Sequence, residues 1–218
     1  MEIDNEEVNH TRVLLENSDG FDGGSDWRYE MRRECQEIIP NLVLGPYQCS
    51  KDTAFLTSAG ITHIVVIRGE AEAVFVRPRY PDQFSYLVLD VRDSEEQNLI
   101  RIYPEAREYI SNALQNGGKV LIVCNGGISR GPAITIMYVM EAAQVSFEDA
   151  TNYVQNKRYC ISPNLGFQCQ LKEFEAIYRA SLAIANQPTL TRDSKRRLED
   201  DDSIEADIDA RPSRNQRV

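Results

Sequence analysis

The chain has 218 residues, 42% of them hydrophobic, and a formal net charge of −10. That length supports one sizeable buried core plus tails, and an acidic chain lacks the basic face that would make nucleic acid its main partner. The charge is uneven: residues 1–26 carry eight acidic side chains against one arginine, residues 186–218 carry eight against seven basic ones, and the middle is close to neutral.

In chain order, residues 1–26 read as an acidic, solvated and disordered arm. Their opening, "MEIDNEEVNH", lacks the basic-then-apolar pattern of a signal peptide. Residues 27–185 then alternate short apolar runs with amphipathic stretches, which predicts a single α/β domain with a central, mostly parallel sheet flanked by helices. "NLVLGP" (Asn41 to Pro46) is a strand ended by Gly-Pro, and "KDTAFLTSAG" (Lys51 to Gly60) is a short helix stopped by Gly60. "ITHIVVI" and "FSYLVLDV" follow as buried strands, too short and too β-branched for helices. A helix is predicted over Asn98 to Gly118, with apolar residues from Leu99 to Leu114 on one face and Pro104 tolerable only near its start. "KVLIVC" (Lys119 to Cys124) is a strand, and "RGPAITIMYVMEAA" (Arg130 to Ala143) is a largely buried helix. Two further helices follow, Ser146 to Arg158 with a Ser146/Asp149 cap and Asn164 to Ala185 behind the break at Pro163. From Asn186 the apolar periodicity disappears, so residues 186–218 read as a disordered charged tail.

No apolar run reaches the roughly 20 residues of a membrane-spanning helix. Five cysteines, Cys35, Cys49, Cys124, Cys160 and Cys169, have no paired metal-type spacing, and an odd count makes a poor disulfide framework. Only His10 and His63 are available for a zinc site or a Cys-His pair, and His63 fits a half-buried strand position. The expectation is a soluble, intracellular protein in a reducing compartment, with no membrane partner, no metal and no cofactor.

The chemistry concentrates between the "KVLIVC" strand and the helix that begins at Arg130. A strand, a tight loop and a helix N-terminus gather backbone N–H groups on one concave side, where an oxyanion belongs. Gly126 and Gly127 permit the positive φ angles and close approach that such a loop needs. Arg130 can hold two phosphate oxygens, and Pro132 suits a first helical turn. Cys124 at the base of this cradle is a candidate nucleophile, because the N–H groups and Arg130 favour a thiolate. The bland alternative is a buried structural cysteine before an ordinary glycine turn. The arginine six positions on argues against it.

Cys124-Asn125-Gly126-Gly127-Ile128-Ser129-Arg130 resembles the Cys-x-x-x-x-x-Arg signature of the cysteine-dependent protein phosphatases, in their dual-specificity branch. "ISPNLGFQCQLKEFE" (Ile161 to Glu175) is similar to the segment that follows this signature, which implies that Asn164 braces the loop. "VRDSEEQNL" resembles the mobile loop that carries the general acid, so Asp93 is the matching candidate, with Asp90, Glu95 and Glu96 as competitors and a solvated loop carboxylate as the plain alternative. "YEMRRECQEIIPNLVLGPY", "GITHIVVIR" and "YLVLDV" narrow the likeness, over roughly Trp27 to Ala185, to the subgroup of serine/threonine/tyrosine-interacting proteins.

That subgroup is known for a dead active site, its best-known members having glycine in place of the nucleophile, whereas this chain keeps Cys124. It departs from active members too: Val123 stands where they have histidine, and Gly131 where they have Ser or Thr. The resemblance implies that the histidine organises hydrogen bonds around the cysteine and keeps its thiol acidic, and that the hydroxyl donates to the sulfur as it leaves in hydrolysis of the phosphocysteine, so both losses bear on the same chemistry. At about 1.5 to 3 kcal/mol each, they predict two to four decades of lost rate. The resemblance implies a catalytically impaired protein that binds phosphorylated proteins, with mitogen-activated (MAP) kinase signalling and F-box ubiquitin-ligase proteins as partner classes. The alternative is an active or slow phosphatase using Cys124. Residence in cytoplasm and nucleus is expected, and Lys195-Arg196-Arg197 is either an import signal or a solvated charge run.

Overall fold

A computed structural model describes residues 27–185 of the chain. The acidic arm 1–26, the tail 186–218 and the Lys195–Arg197 cluster lie outside the described residues. Five strands run β1 (Gln36–Ile39), β2 (Leu42–Pro46), β3 (His63–Arg68), β4 (Ser85–Asp90) and β5 (Val120–Cys124). Five α-helices run α1 (Thr53–Ser58), α2 (Tyr103–Gln115), α3 (Arg130–Ala143), α4 (Phe147–Lys157) and α5 (Leu165–Ala185). Short 3₁₀ turns at Tyr29–Arg33, Tyr47–Lys51 and Glu70–Glu72 complete the elements.

The sheet order is β1-β2-β5-β3-β4, with β1 antiparallel to β2 and every other pairing parallel. The mostly parallel α/β sheet read from the sequence is therefore present, and β1 is an addition to it. "QEII" is too short and too polar at its start to announce itself; its partner β2 makes it a strand. The central strand β5 is buried at every position, as a parallel strand covered on both faces must be.

Alternation along the strands sends side chains to two cores. Leu44, Val65, Ile67, Ile122 and Cys124 face the larger core beneath the long helices. Val43, Ile64, Val66, Leu121 and Val123 face a second cluster with Leu56 of α1, Tyr47, Val76 and Phe84. Helix α3 is apolar all round because it runs through the middle of the larger core. Thirteen of its fourteen residues are buried, leaving Glu141, which pairs with Arg107 at 2.9 Å and accepts from the Tyr103 hydroxyl at 2.7 Å.

Helix α2 begins five residues later than the apolar spacing suggests, at Tyr103 rather than Asn98. Pro104 sets that limit. Its ring would clash with a helical carbonyl four residues earlier, so it sits in the first turn. The segment before α2 is instead fastened to α5: Gln170 accepts from the Leu99 N–H at 2.7 Å and donates to the Gln97 carbonyl at 2.8 Å. His63 lies half-buried in β3, against the edge of Tyr109. Among the described residues no helix is long and apolar enough to cross a membrane.

One glycine sets how closely the loop after β4 lies on α5. A Cβ at Gly166 would fall 2.2 Å from the Glu95 carbonyl oxygen and 2.4 Å from its Cα. Both are backbone atoms with no rotamer to yield. Gly166→Ala should therefore destabilise the fold by about 2 kcal/mol, an overpacking cost, measurable as a lower urea midpoint; an unchanged midpoint would show that the loop moves freely.

Candidate functional site

The loop after β5 springs from the C-terminal edge of the sheet, where the strand order reverses around β5 and α/β folds open a crevice. In register, Cys124 lies beside Pro46 on one side and Ile67 on the other. From there, five successive carbonyls are held from outside the loop. Asn125 O accepts from the Tyr47 N–H at 3.4 Å, Ile128 O from the Ser162 N–H at 2.7 Å, and Ser129 O from the Ala133 N–H at 3.0 Å. Gly127 O and Gly126 O accept from Arg158, at 2.9 Å and 3.4 Å.

In a trans peptide, C=O and the next N–H point in opposite directions. Carbonyls of residues 125–128 pulled outward thus turn the N–H groups of Gly126, Gly127, Ile128 and Ser129 inward. That concave row of donors ahead of a helix N-terminus can hold an oxyanion. Gly127 alone of the loop glycines adopts positive φ, at +63°, and a Cβ there would lie 2.6 Å from the Gly45 carbonyl carbon. Gly126 does not use the positive φ that glycine permits, because a single left-handed residue suffices to turn the chain.

Two residues of the site carry no signal in the sequence. Arg158, at the end of α4, is fully buried and serves the loop with Nε and Nη2. It also donates to the carbonyls of Glu34 at 2.8 Å and Arg32 at 2.9 Å and to the Gln36 side chain. An arginine at a helix C-terminus ordinarily faces solvent, so nothing local marked this one. The second is Glu72, in the turn after β3. Its carboxylate takes both Nη atoms of Arg130, with Nη2 to Oε1 at 3.0 Å, and accepts from the Gly69 N–H at 2.6 Å. The Arg130 Nη1 also reaches the Val91 carbonyl at 3.2 Å.

With its Nη atoms held this way, the buried Arg130 keeps one nitrogen in reserve. Nε has no hydrogen-bond partner among the described residues and lies 3.8 Å from Asp93 Oδ2. Burial opposes the guanidinium charge, but the Glu72 hydrogen bonds and the charges of Cys124, Glu72 and Asp93 outweigh it and hold the proton more firmly. The Arg130 hydrogen bonds in turn hold the Glu72 carboxyl below its ordinary range against burial, aided by the Gly69 N–H, the arginine's charge and the Asn125 side chain.

Asp93 comes to the loop and its competitors do not. Its Oδ1 accepts from Ser129 Oγ at 2.7 Å and from Asn164 Nδ2 at 2.9 Å. Asp90 pairs with Arg68 at 3.1 Å, and Glu95 meets α5 through its backbone. Asn164 joins three parts: it caps α5 by accepting from the Phe167 N–H at 2.9 Å, donates to Asp93, and its own N–H reaches Ser129 Oγ at 3.3 Å. Cys124 is buried, and its sulfur accepts from the Gly131 N–H at 3.3 Å. Val123 faces the opposite side of the sheet, among Val43, Val66 and Tyr47.

Removing the charge at Glu72 tests how Arg130 is held. Glu72→Gln would set an amide donor against a guanidinium donor and should cost about 2 to 3 kcal/mol at neutral pH. Because the folded carboxyl value is lowered, this contribution is complete above the ordinary glutamate range and is lost as pH falls through the folded value. Denaturation across pH should show the gap between wild type and variant closing in acid; a constant gap would mean that the pair adds no stability.

The comparisons agree with this geometry. Residues 42–177 match the model of the dual specificity phosphatase catalytic domain. Serine/threonine/tyrosine-interacting protein A of Xenopus laevis is 45% identical over 193 residues, covering 82% of this chain and 86% of that protein. The Homo sapiens serine/threonine/tyrosine-interacting protein is 49% identical over 161 residues, covering 73% and 72%. The crystal structure of human tyrosine phosphatase-like serine/threonine/tyrosine-interacting protein matches with a TM-score of 0.66 at 48% identity, covering 67% of this chain and 99% of that one. With a cysteine-to-arginine loop of this form and relatives of this closeness, the chain belongs to the dual specificity phosphatase family, beside the serine/threonine/tyrosine-interacting proteins.

Proposed function

We propose that this protein is a catalytically impaired dual specificity phosphatase that binds phosphorylated proteins through Cys124 to Arg130 and modulates signalling. The observation that carries the reading is the buried Arg130 Nε, without a hydrogen-bond partner among the described residues beside a row of inward N–H groups. Buried donors of a charged group ordinarily have partners. A phosphate oxygen supplies the missing one. Glu72 orients the guanidinium, and Asn164 and Arg158 brace the loop.

Turnover needs more than binding. Cys124 would attack phosphorus while Asp93 protonates the leaving oxygen. Asp93 Oδ1 already faces two donors, so the proton to be delivered has to sit on Oδ2, the oxygen nearest Arg130 Nε. In the second step the sulfur must leave as thiolate. Its one side-chain helper is missing at Gly131, and the main-chain N–H at 3.3 Å is what it has. Phosphate binding is thereby better supported than hydrolysis. The convergence of Cys124, Arg130 and Asp93 favours a second reading, a slow phosphatase acting on phosphotyrosine or phosphoserine/threonine.

The family resemblance extends the proposal to MAP kinases and F-box proteins as partner classes, and to residence in cytoplasm and nucleus. The relatives' names, as interacting proteins, point to protein partners.

Vanadate or inorganic phosphate should bind in calorimetry, and Arg130→Met should weaken that binding about 100-fold or more. No affinity in the wild type would remove the proposal.

The second test concerns rate. A Cβ at residue 131 would lie 3.3 Å from the Cys124 sulfur and 3.2 Å from Leu44 Cδ1, so a serine fits with a small shift. Gly131→Ser should raise hydrolysis of an aryl phosphate about tenfold over wild type, with Gly131→Ala as the steric control. Wild-type turnover equal to that of an ordinary family enzyme would overturn the impaired reading in favour of the second.

A further inference from the structure

Cys35 and Cys49 have no motif in the sequence, yet the fold brings them together behind the loop. Cys35 immediately precedes β1, and Cys49 sits in the 3₁₀ turn that follows β2. The antiparallel register pairs Gln36 with Leu44, which sets Cys35 beside Gly45. A Cβ at Gly45 would lie 2.3 Å from the Cys35 sulfur, so a side chain there would displace it. That vacancy is where the sulfur packs. Beyond Gly45 the chain turns and presents Cys49, whose thiol, while protonated, donates to the Arg33 carbonyl at 3.4 Å.

The two thiols hydrogen-bond to each other, and both line one cavity of about 470 Å³ shared with Glu34, Gln48 and Asp52. Each is partly exposed. Within the pair the proton stays on Cys35, pushed up by its hydrogen bond to Cys49, by burial and by the Cys49 charge. Cys49 is the readier of the two to ionise: the Cys35 hydrogen bond and the Arg158 charge lower it, against burial and Glu34. A more acidic thiol beside one held protonated is the arrangement of an attacking and a resolving cysteine.

We propose that Cys35 and Cys49 form a redox-active dithiol, distinct from Cys124, that a hydroperoxide converts to a disulfide. The Cys49 thiolate attacks one peroxide oxygen; the S–O bond forms, the O–O bond breaks, and the peroxide leaves reduced as hydroxide. Cys49 is then a sulfenic acid, oxidised by two electrons. Cys35 gives up its proton and attacks the Cys49 sulfur; the S–S bond forms, the S–O bond breaks, and water departs. A small thiol reductant reverses the process by exchange. The proposal does not depend on phosphate binding. It concerns a site one side chain behind the loop, since Arg158 contacts Glu34 and Arg32 on one side and Gly126 and Gly127 on the other.

The full chain, reduced and then treated with graded hydrogen peroxide, tests it by peptide mass. Both cysteines fall in one tryptic peptide, Glu34 to Lys51, so a disulfide appears there as the loss of two hydrogens. That loss should occur at a peroxide concentration at least tenfold below the one that oxidises the exposed, isolated Cys169. Cys35→Ser should leave Cys49 as a sulfenic acid captured by a cyclic 1,3-diketone, and Cys49→Ser should leave Cys35 reduced. Phenylarsine oxide, which needs two adjacent thiols, should bind wild type at this peptide without any variant being made. Two free thiols in the peptide after Cys169 has oxidised, or no arsenical at the peptide, would overturn the proposal.

Discussion

One buried cation orders the loop on which the site depends. Arg158 lies wholly inside the protein, and its guanidinium donates to four main-chain carbonyls and one side-chain amide oxygen. Burying such a charge is costly unless its donors are satisfied. Here they are, by groups that also need partners. The exchange fixes Gly126 and Gly127 with their carbonyls outward, and the rigid peptide plane then turns the following N–H groups inward. Without that cation the loop carbonyls would compete to face the crevice, and a cradle for an anion would become a cradle for nothing in particular.

A second arginine works in the opposite sense. Arg130 is oriented by Glu72 on its Nη edge, while its Nε remains unpartnered among the described residues. Asp93 stands nearby at 3.8 Å, drawn down by Ser129 and Asn164. Holding an oxyanion and releasing a sulfur thus rest on separate sets of contacts. Everything that positions an oxyanion is supported by several hydrogen bonds from different elements. What helps a sulfur leave rests on one main-chain N–H. Binding and turnover therefore draw on different contacts.

The β1–β2 hairpin gives the same scaffold a second chemical feature. It carries Cys35 and the turn bearing Cys49 to one cavity, and it packs Gly45 and Pro46 directly against Gly127. Loop and dithiol therefore share a wall of backbone as well as Arg158. Rigid packing of this kind transmits small displacements, because interiors have few voids to absorb them.

What the sequence determined by itself is local. The β-branched run into Cys124, the glycine that turns the chain, Arg130 and Pro132 at a helix start, and the cap at Ser146 are each written within a few adjacent residues. Backbone preference and periodicity act over that range, so the α/β sheet and the loop were legible. Tertiary structure decided the partners. Glu72 meets Arg130 across 58 residues, Arg158 meets Glu34 across 124, and Asp93 rather than Asp90, Glu95 or Glu96 reaches Ser129. No local pattern distinguishes those carboxylates. Only closure of the sheet, with β5 between β2 and β3 and Gly166 admitting the loop against α5, fixes which of them comes within hydrogen-bonding distance.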